Sequence, residues 1–229
     1  MKKIGLVGGL GPASTIEYYS GLIELCRNEY GKDVYPEIVI DSVNMAQHTA
    51  AFDKGDFDEV ARLLLKSLEN LRAAGAELAA VTANTEHIVW DMIKDRLPLP
   101  AVSIISSVVE EIQRQKYKKV VVLATRWTME SGLYEKAISA AGISCIVPDS
   151  RDREAVGGII YPNLENGIVV EKDKEKMLNI AEKYISQHSA QAVLLGCTEL
   201  PLMIKQGDLS VPVINSTEVH IKDIYQKAE

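Results

Sequence analysis

The chain is short of the features that mark several large protein classes. It has only three cysteines, Cys26, Cys145 and Cys197. An odd number cannot all pair within one chain, and their spacing suggests no disulfide framework, which points to a reducing cytoplasm. No apolar run approaches the ~20 residues needed to span a bilayer. The opening Met1-Lys2-Lys3-Ile4-Gly5 enters a strand-like segment directly, so neither secretion nor a membrane association is expected. Basic charge is lacking too: 25 Lys and Arg stand against 32 Asp and Glu, a net charge of −7. That balance argues against nucleic acid as a partner, since such binders usually carry a basic stripe. His48, His188 and His220 have no metal-ligand spacing with one another or with cysteine, so no metal site is expected. There is no G-x-S-x-G elbow and no Walker loop, and Gly8-Gly9-Leu10-Gly11-Pro12 is out of register for the dinucleotide fingerprint. What is left is small-molecule chemistry, in a chain of 229 residues and 47% hydrophobic content that can form one large or two small cores.

Short β-branched runs alternate with longer amphipathic stretches. Ile4 to Val7, Glu37 to Ser42, Leu78 to Thr82, Ala101 to Ile104, Val120 to Ala124, Ser144 to Pro148, Val193 to Leu195 and Pro212 to Ile214 read as buried strands, apolar on both faces. Asp56 to Ala74 reads as a helix, with Val60, Leu63, Leu64, Leu68 and Leu71 at helical spacing and Gly75 as its stop. Ser106 to Gln115 is a second helix, and Ser14 before Glu17 looks like a capping box that starts another. Such alternation predicts an α/β protein with mainly parallel sheets, in which ligands collect at the carboxyl ends of strands.

The chain also resembles itself. Lys3 to Gly9 is similar to Lys119 to Thr125, Gly75 to Thr85 to Ser189 to Glu199, and Leu99 to Ile104 to Val211 to Asn215. The interval from Gly9 to Ala83 nearly equals that from Thr125 to Cys197. The pattern predicts two pseudo-symmetric three-layer α/β/α domains meeting at a cleft. The expected limits are 1–100 plus 215–229 for the first and 101–214 for the second, with a final helix from about Ser216 returning to the first.

The repeat sets Ala83 opposite Cys197, each where a strand ends and backbone N–H groups are free to bind an anion. A thiol at a helix start has its thiolate favoured, so the pKa of Cys197 is expected to fall from ~8.5 towards neutrality. That would make it a base for a weakly acidic C–H. Cys26 and Cys145 read as core residues. Asn84, Thr85, Thr125 and Thr198 offer N–H and O–H donors for a carboxylate, or cap helices. Gly9 lets backbone approach a ligand, and His87 is a candidate acid or base within reach of the same loop.

On the segments Ile4 to Pro12, Ala83-Asn84-Thr85-Glu86-His87, Leu123-Ala124-Thr125 with Thr128-Met129, and Gly196-Cys197-Thr198-Glu199-Leu200, the chain resembles the aspartate/glutamate racemase superfamily over essentially its whole length. The resemblance implies two pseudo-symmetric α/β domains, a homodimer, an amino acid or related carboxylate as small-molecule substrate, and no cofactor. It also implies two cysteines facing the substrate Cα from opposite sides. Cys197 matches the second; Asn84, Thr85, Thr125 and Thr198 match positions that hold the α-carboxylate and amino groups.

Three positions depart from the pattern. Ala83 takes the place of the first cysteine. His48 stands about where aspartate-specific members have an arginine for the side-chain carboxylate, and Glu165 about where they have a lysine. Both changes weaken selection of an acidic side chain. The leading expectation is a racemase or epimerase with Cys197 as acid/base, and with water or His87 serving the other face. The alternatives are a single-cysteine decarboxylase of the arylmalonate type and an amino-acid-binding homologue without turnover.

Overall fold

The structure is a computed structural model that describes every residue, Met1–Glu229. The chain divides into two compact units, Met1–Ile104 with His220–Glu229, and Ile105–Val219. Each contains one four-stranded, wholly parallel sheet. The first has β1 (Ile4–Gly8), β2 (Ile38–Ser42), β3 (Leu78–Val81) and β4 (Ala101–Val102) in the order β2-β1-β3-β4. The second has β5 (Lys119–Ala124), β6 (Ser144–Ile146), β7 (Ala192–Gly196) and β8 (Val213–Asn215) in the order β6-β5-β7-β8. The two orders correspond strand for strand, as the internal repeat predicts.

In the first unit the period-2 alternation of the strands assigns each side chain to one of two cores. Ile4, Leu6, Leu78, Ala80 and Val102 pack on one face with Tyr18, Leu22 and Cys26 of helix Pro12–Tyr30 and with Ile221, Ile224, Tyr225 and Ala228 of the last helix, Ser216–Ala228. Val7, Ala79 and Val81 pack on the other with Leu64, Leu68 and Leu71 of helix Phe57–Ala73. Burying each such leucine stabilises the fold by about 1.5–3 kcal/mol. Asp56 starts that helix by accepting the Glu59 N–H (3.0 Å), and Gly75 ends it at φ +87°, as its lone Cβ-free position allows. In the second unit β7 is fully buried, β5 is buried from Val120 onward, and helix Glu171–His188 packs against both.

Three expectations change in detail. Only the inner strands are apolar on both faces; β2 is an edge strand with Ile40 exposed and Asp41 accepting from Ser67 (2.6 Å). β4 is two residues long, because Ile104 already opens helix Ile104–Arg114. The first helix starts at Pro12, whose fixed φ and missing N–H suit that place. Ser14 therefore lies inside the first turn, donating to the carbonyls of Gly11 (2.9 Å) and Thr82 (3.0 Å), and no capping box forms.

The closing helix is tied to the start of the chain: the Lys2 N–H donates to Ala228 O (2.6 Å) and the Tyr225 hydroxyl to Glu29 (2.8 Å). Ile224→Ala should cost about 2–5 kcal/mol in urea unfolding followed by circular dichroism. Lys222→Ala, on the exposed side of the same helix, should stay within about 0.5 kcal/mol. Equal losses would contradict the packing described.

Candidate active site

Both sheets reverse direction of strand addition at one point. In the first, the chain adds β2 on one side of β1 and β3 on the other; in the second it adds β6 on one side of β5 and β7 on the other. Loops leaving adjacent strands on either side of such a point diverge and leave room for a ligand beyond the carboxyl ends. The loops there begin at Gly8–Gly9 and Thr82–Thr85 in the first unit, and at Thr125 and Cys197 in the second. Sequence reasoning chose the same four segments from motif and repeat.

Hydrogen bonds fix the first unit's two loops to each other. The Gly9 N–H donates to Thr15 Oγ1 (3.0 Å), the Thr15 and Thr82 hydroxyls meet at 3.3 Å, and Thr82 Oγ1 donates to Val7 O (3.0 Å). Gly9 has φ +85°, and a Cβ there would run into the backbone of Val43. Its missing side chain thus makes room for the close passage of Val43. Asn84 is buried and Thr85 half-buried at the start of a 3₁₀ turn, Thr85–Val89. Ala83 is buried at the end of β3 and carries no acid or base.

His87 belongs to the core. Its Nδ1–H donates to Ala83 O (3.0 Å), its Nε2 accepts from the Ile104 N–H (3.4 Å), and the ring stacks on Trp90 at 4.8 Å. Burial lowers its pKa to about 4, so the imidazole is neutral with both nitrogens engaged. It is no general acid or base, contrary to the sequence expectation; it pins the Ala83 loop. His220 is held the opposite way round. Its Nδ1 accepts from the Tyr18 hydroxyl (2.8 Å), its Nε2–H donates to Val102 O (3.1 Å), and burial lowers its pKa to about 3. These tautomers follow from which partners can only donate or only accept.

In the second unit Cys197 directly follows β7 and is buried. Gly196 before it must be glycine, because a Cβ there would stand 2.9 Å from the Tyr134 ring. The Cys197 thiol donates to Glu199 Oε2 at 3.0 Å, and the Thr198 hydroxyl donates to the same oxygen at 2.8 Å. The thiol pKa lies well above its usual value because of burial, then the Glu199 charge, then the hydrogen bond to Glu199. Backbone N–H groups of Glu199 and Leu200 do favour the thiolate, as the sequence suggests, but they are outweighed. The expected shift towards neutrality is therefore reversed, and the resting group is a thiol aimed at a carboxylate. Glu199 was quoted in the motif but given no role by sequence reasoning; its signal is the spacing of two residues from Cys197.

The remaining candidates divide. Thr125 caps helix Arg126–Glu130, its Oγ1 accepting from the Thr128 N–H (3.2 Å) and donating to the Thr128 hydroxyl (3.0 Å). Glu165 sits half-buried in the 3₁₀ turn Leu164–Asn166, its carboxyl raised by burial and by the charge of Glu199. It thus lies within reach of the Glu199 charge in the same unit. His48 is buried in helix Met45–Lys54, which follows β2. No group of three or more His, Cys, Asp or Glu side chains is placed to hold a metal ion, and no helix is long and apolar enough to cross a membrane.

Comparison with known proteins places these loops in context. The family model described as Asp/Glu/hydantoin racemase matches residues 7–224. The chain is 27% identical to the broad specificity amino-acid racemase RacX of Bacillus subtilis, covering 93% of this chain and 92% of that one. Among solved structures, an aspartate racemase homologue from Pyrococcus horikoshii superposes with a TM-score of 0.87 at 38% identity, covering 100% of this chain and 99% of the other. A putative Asp/Glu racemase from Yersinia pestis gives a TM-score of 0.91 at 35% identity, again with 100% and 99% coverage.

The depressed pKa values of His87 and His220 make acid stability a test of the site. In the unfolded chain each titrates near 6.5, in the folded chain at about 4 and about 3. Between those values the unfolded state binds more protons, so stability falls as pH drops below 6.5. The expected slope reaches about 2–3 kcal/mol per pH unit with both groups contributing. Urea unfolding at pH 7, 6 and 5 measures it, and a flat profile would show that the imidazoles are not buried as described.

Proposed function

The chain belongs to the Asp/Glu/hydantoin racemase family, and from that premise we propose that it is a cofactor-independent amino-acid racemase or epimerase in which Cys197 exchanges the Cα proton. The carrying observation is the Cys197–Glu199 hydrogen bond at the carboxyl end of β7. A thiol with a raised pKa is a poor base alone. The Glu199 carboxylate that accepts its hydrogen bond is the group that takes its proton, leaving the thiolate to remove the proton from Cα. Thr198 holds that carboxylate in place through its own hydroxyl. On return the Cys197 S–H delivers its proton to the planar carbanion, and the thiolate so formed takes back the proton held by Glu199, which restores the resting thiol and carboxylate. Asn84, Thr85 and Thr125, which match family positions of that role, are assigned to the substrate's carboxylate and amino group.

With alanine at position 83 and His87 committed to the backbone, solvent supplies the proton on the face away from Cys197. The expected behaviour is fast exchange on one face and slower loss of configuration. The protein works as a cytoplasmic homodimer in this reading.

A second reading is favoured by one observation, that Cys197 rests protonated. A lone thiol acid suits protonation of an enediolate left by decarboxylation of a substituted malonate. Release of CO₂ from such a malonate, without Cα exchange on any amino acid, would select it.

Incubation of single L- and D-amino acids in D₂O, followed by NMR, tests the main reading. Cys197→Ala should abolish Cα–H exchange and Glu199→Gln should slow it about 10²-fold or more, the usual contribution of a positioned acid or base. Ala83→Cys, which adds the second thiol, should raise racemisation relative to exchange. Exchange unaffected by Cys197→Ala would remove the proposal.

A further inference from the structure

Three basic side chains, Lys3, Arg153 and Lys174, are half-buried, and every other Lys and Arg is exposed. Lys3 is paired with Glu37 and Lys174 with Asp208, each at 3.0 Å. Arg153 has no ion pair and no side-chain hydrogen bond, and its Nε is shut off from solvent without an acceptor. The two terminal nitrogens have no partner either but are not shut off, so the open end of the guanidinium faces outward. Charged groups withdrawn from water are nearly always paired. Arg153 is the exception in this chain, a cation whose counter-ion the protein does not supply.

The carboxylates close to it in sequence are committed elsewhere. Asp149 accepts the Asp152 N–H at 3.0 Å, and the two carboxylates accept from Lys183 of helix Glu171–His188 at 3.4 and 2.6 Å. The Tyr184 hydroxyl donates to Asp152 as well, at 3.0 Å. Arg153 itself lies in the first turn of helix Ser150–Ile160, which follows β6. Helical side chains tilt towards the helix N-terminus, so this one leans towards the carboxyl edge of the second sheet. One turn further on Gly157 faces Arg126, since a Cβ there would stand 3.6 Å from Arg126 Cβ, and Arg126 follows Thr125 at the end of β5. β6 lies beside β5 and β5 beside β7. With neighbouring strands about 4.8 Å apart, the segments carrying Arg153, Thr125 and Cys197 leave one edge in a row across roughly 10 Å, which one small ligand can bridge.

We propose that Arg153 is a specificity-determining residue, which binds the distal carboxylate of a dicarboxylic ligand seated at Thr125 and Cys197. The proposal rests on the amino-acid reading above for what occupies that edge, and adds the residue that selects among amino acids. The planar fork of an arginine meets a carboxylate with two parallel N–H···O bonds. A carboxamide offers the same fork one oxygen and no charge, and an alkyl side chain leaves it unpaired. Part of the hydration of this guanidinium is already gone in the free protein, so less remains to be removed when a ligand arrives. Within the second unit it is the one half-buried cation free for that role.

Calorimetric titration at pH 8 with glutamate and aspartate, against glutamine, asparagine and alanine, reads the selectivity without requiring turnover. The better diacid should bind at least about tenfold more tightly than its own amide and than alanine. Arg153→Gln should remove that margin, and Arg151→Gln, on the exposed neighbour, should leave it whole. Circular dichroism checks that each variant is folded. Should Arg153→Gln fail to fold, Arg153→Lys decides, because it keeps the charge but not the fork and should shrink the margin several-fold. Amide binding as tight as that of the diacid in the wild type, an undiminished margin in the Arg153 variants, or no binding by any member would overturn the assignment, whatever Cα–H exchange shows. The expected margin and its loss at Arg153, without Cα–H exchange on any member, would support the assignment and sink the catalytic reading instead.

Discussion

Parallel pairing of β1 with β3, and of β5 with β7, is the constraint from which the site follows. In the first pair Ile4 lies beside Leu78 and Val7 beside Val81; in the second Val120 lies beside Ala192 and Ala124 beside Gly196. Because the strands run the same way, their carboxyl ends fall at one edge, and because the chain adds its other strands on opposite sides, the loops there part. Gly9 and Thr82–Thr85 emerge together in one unit, and Thr125 and Cys197 in the other. A one-residue slip in either register would move the alternating core residues to the opposite face of the sheet and misplace every one of these loops.

At those edges burial decides what each polar group can do. Cys197 and Thr198 both donate to one carboxylate oxygen of Glu199, and burial with the Glu199 charge holds the thiol well above its usual pKa. His87 and His220 show the same physics applied to structure: a neutral imidazole with both nitrogens bonded to the surrounding chain acts as a brace for the Ala83 loop and the last helix. His48 is equally buried, with neither nitrogen paired.

The fold was largely legible because its signals are local or periodic. Apolar runs such as Val120-Val121-Val122-Leu123 suit the buried strands of a parallel sheet, and the leucine spacing of 64, 68 and 71 has one helical face. The edge character of β2 and the shortness of β4 were not legible, since Ile38-Val39-Ile40 reads the same in an edge strand as in a central one. Pro12 was visible, yet Ser14 and Glu17 offered a competing start that the fixed φ of proline overrode.

For the site, the sequence by itself determined which residue types stand at the strand ends: one cysteine, an alanine in its partner position, and the threonines and asparagine beside them. Spacing along a chain is enough for that, because a parallel sheet returns each loop to the same edge. Only the tertiary structure decided their states. Whether Cys197 is a thiolate or a thiol depends on burial and on the Glu199 carboxylate balanced against two backbone amides. Whether His87 or His48 is free for chemistry depends on which carbonyls and amides fold against each ring. Those are sums over neighbours in space, and hydrogen-bond partners such as Ala83 and Ile104 for one imidazole are brought together only when the chain has folded.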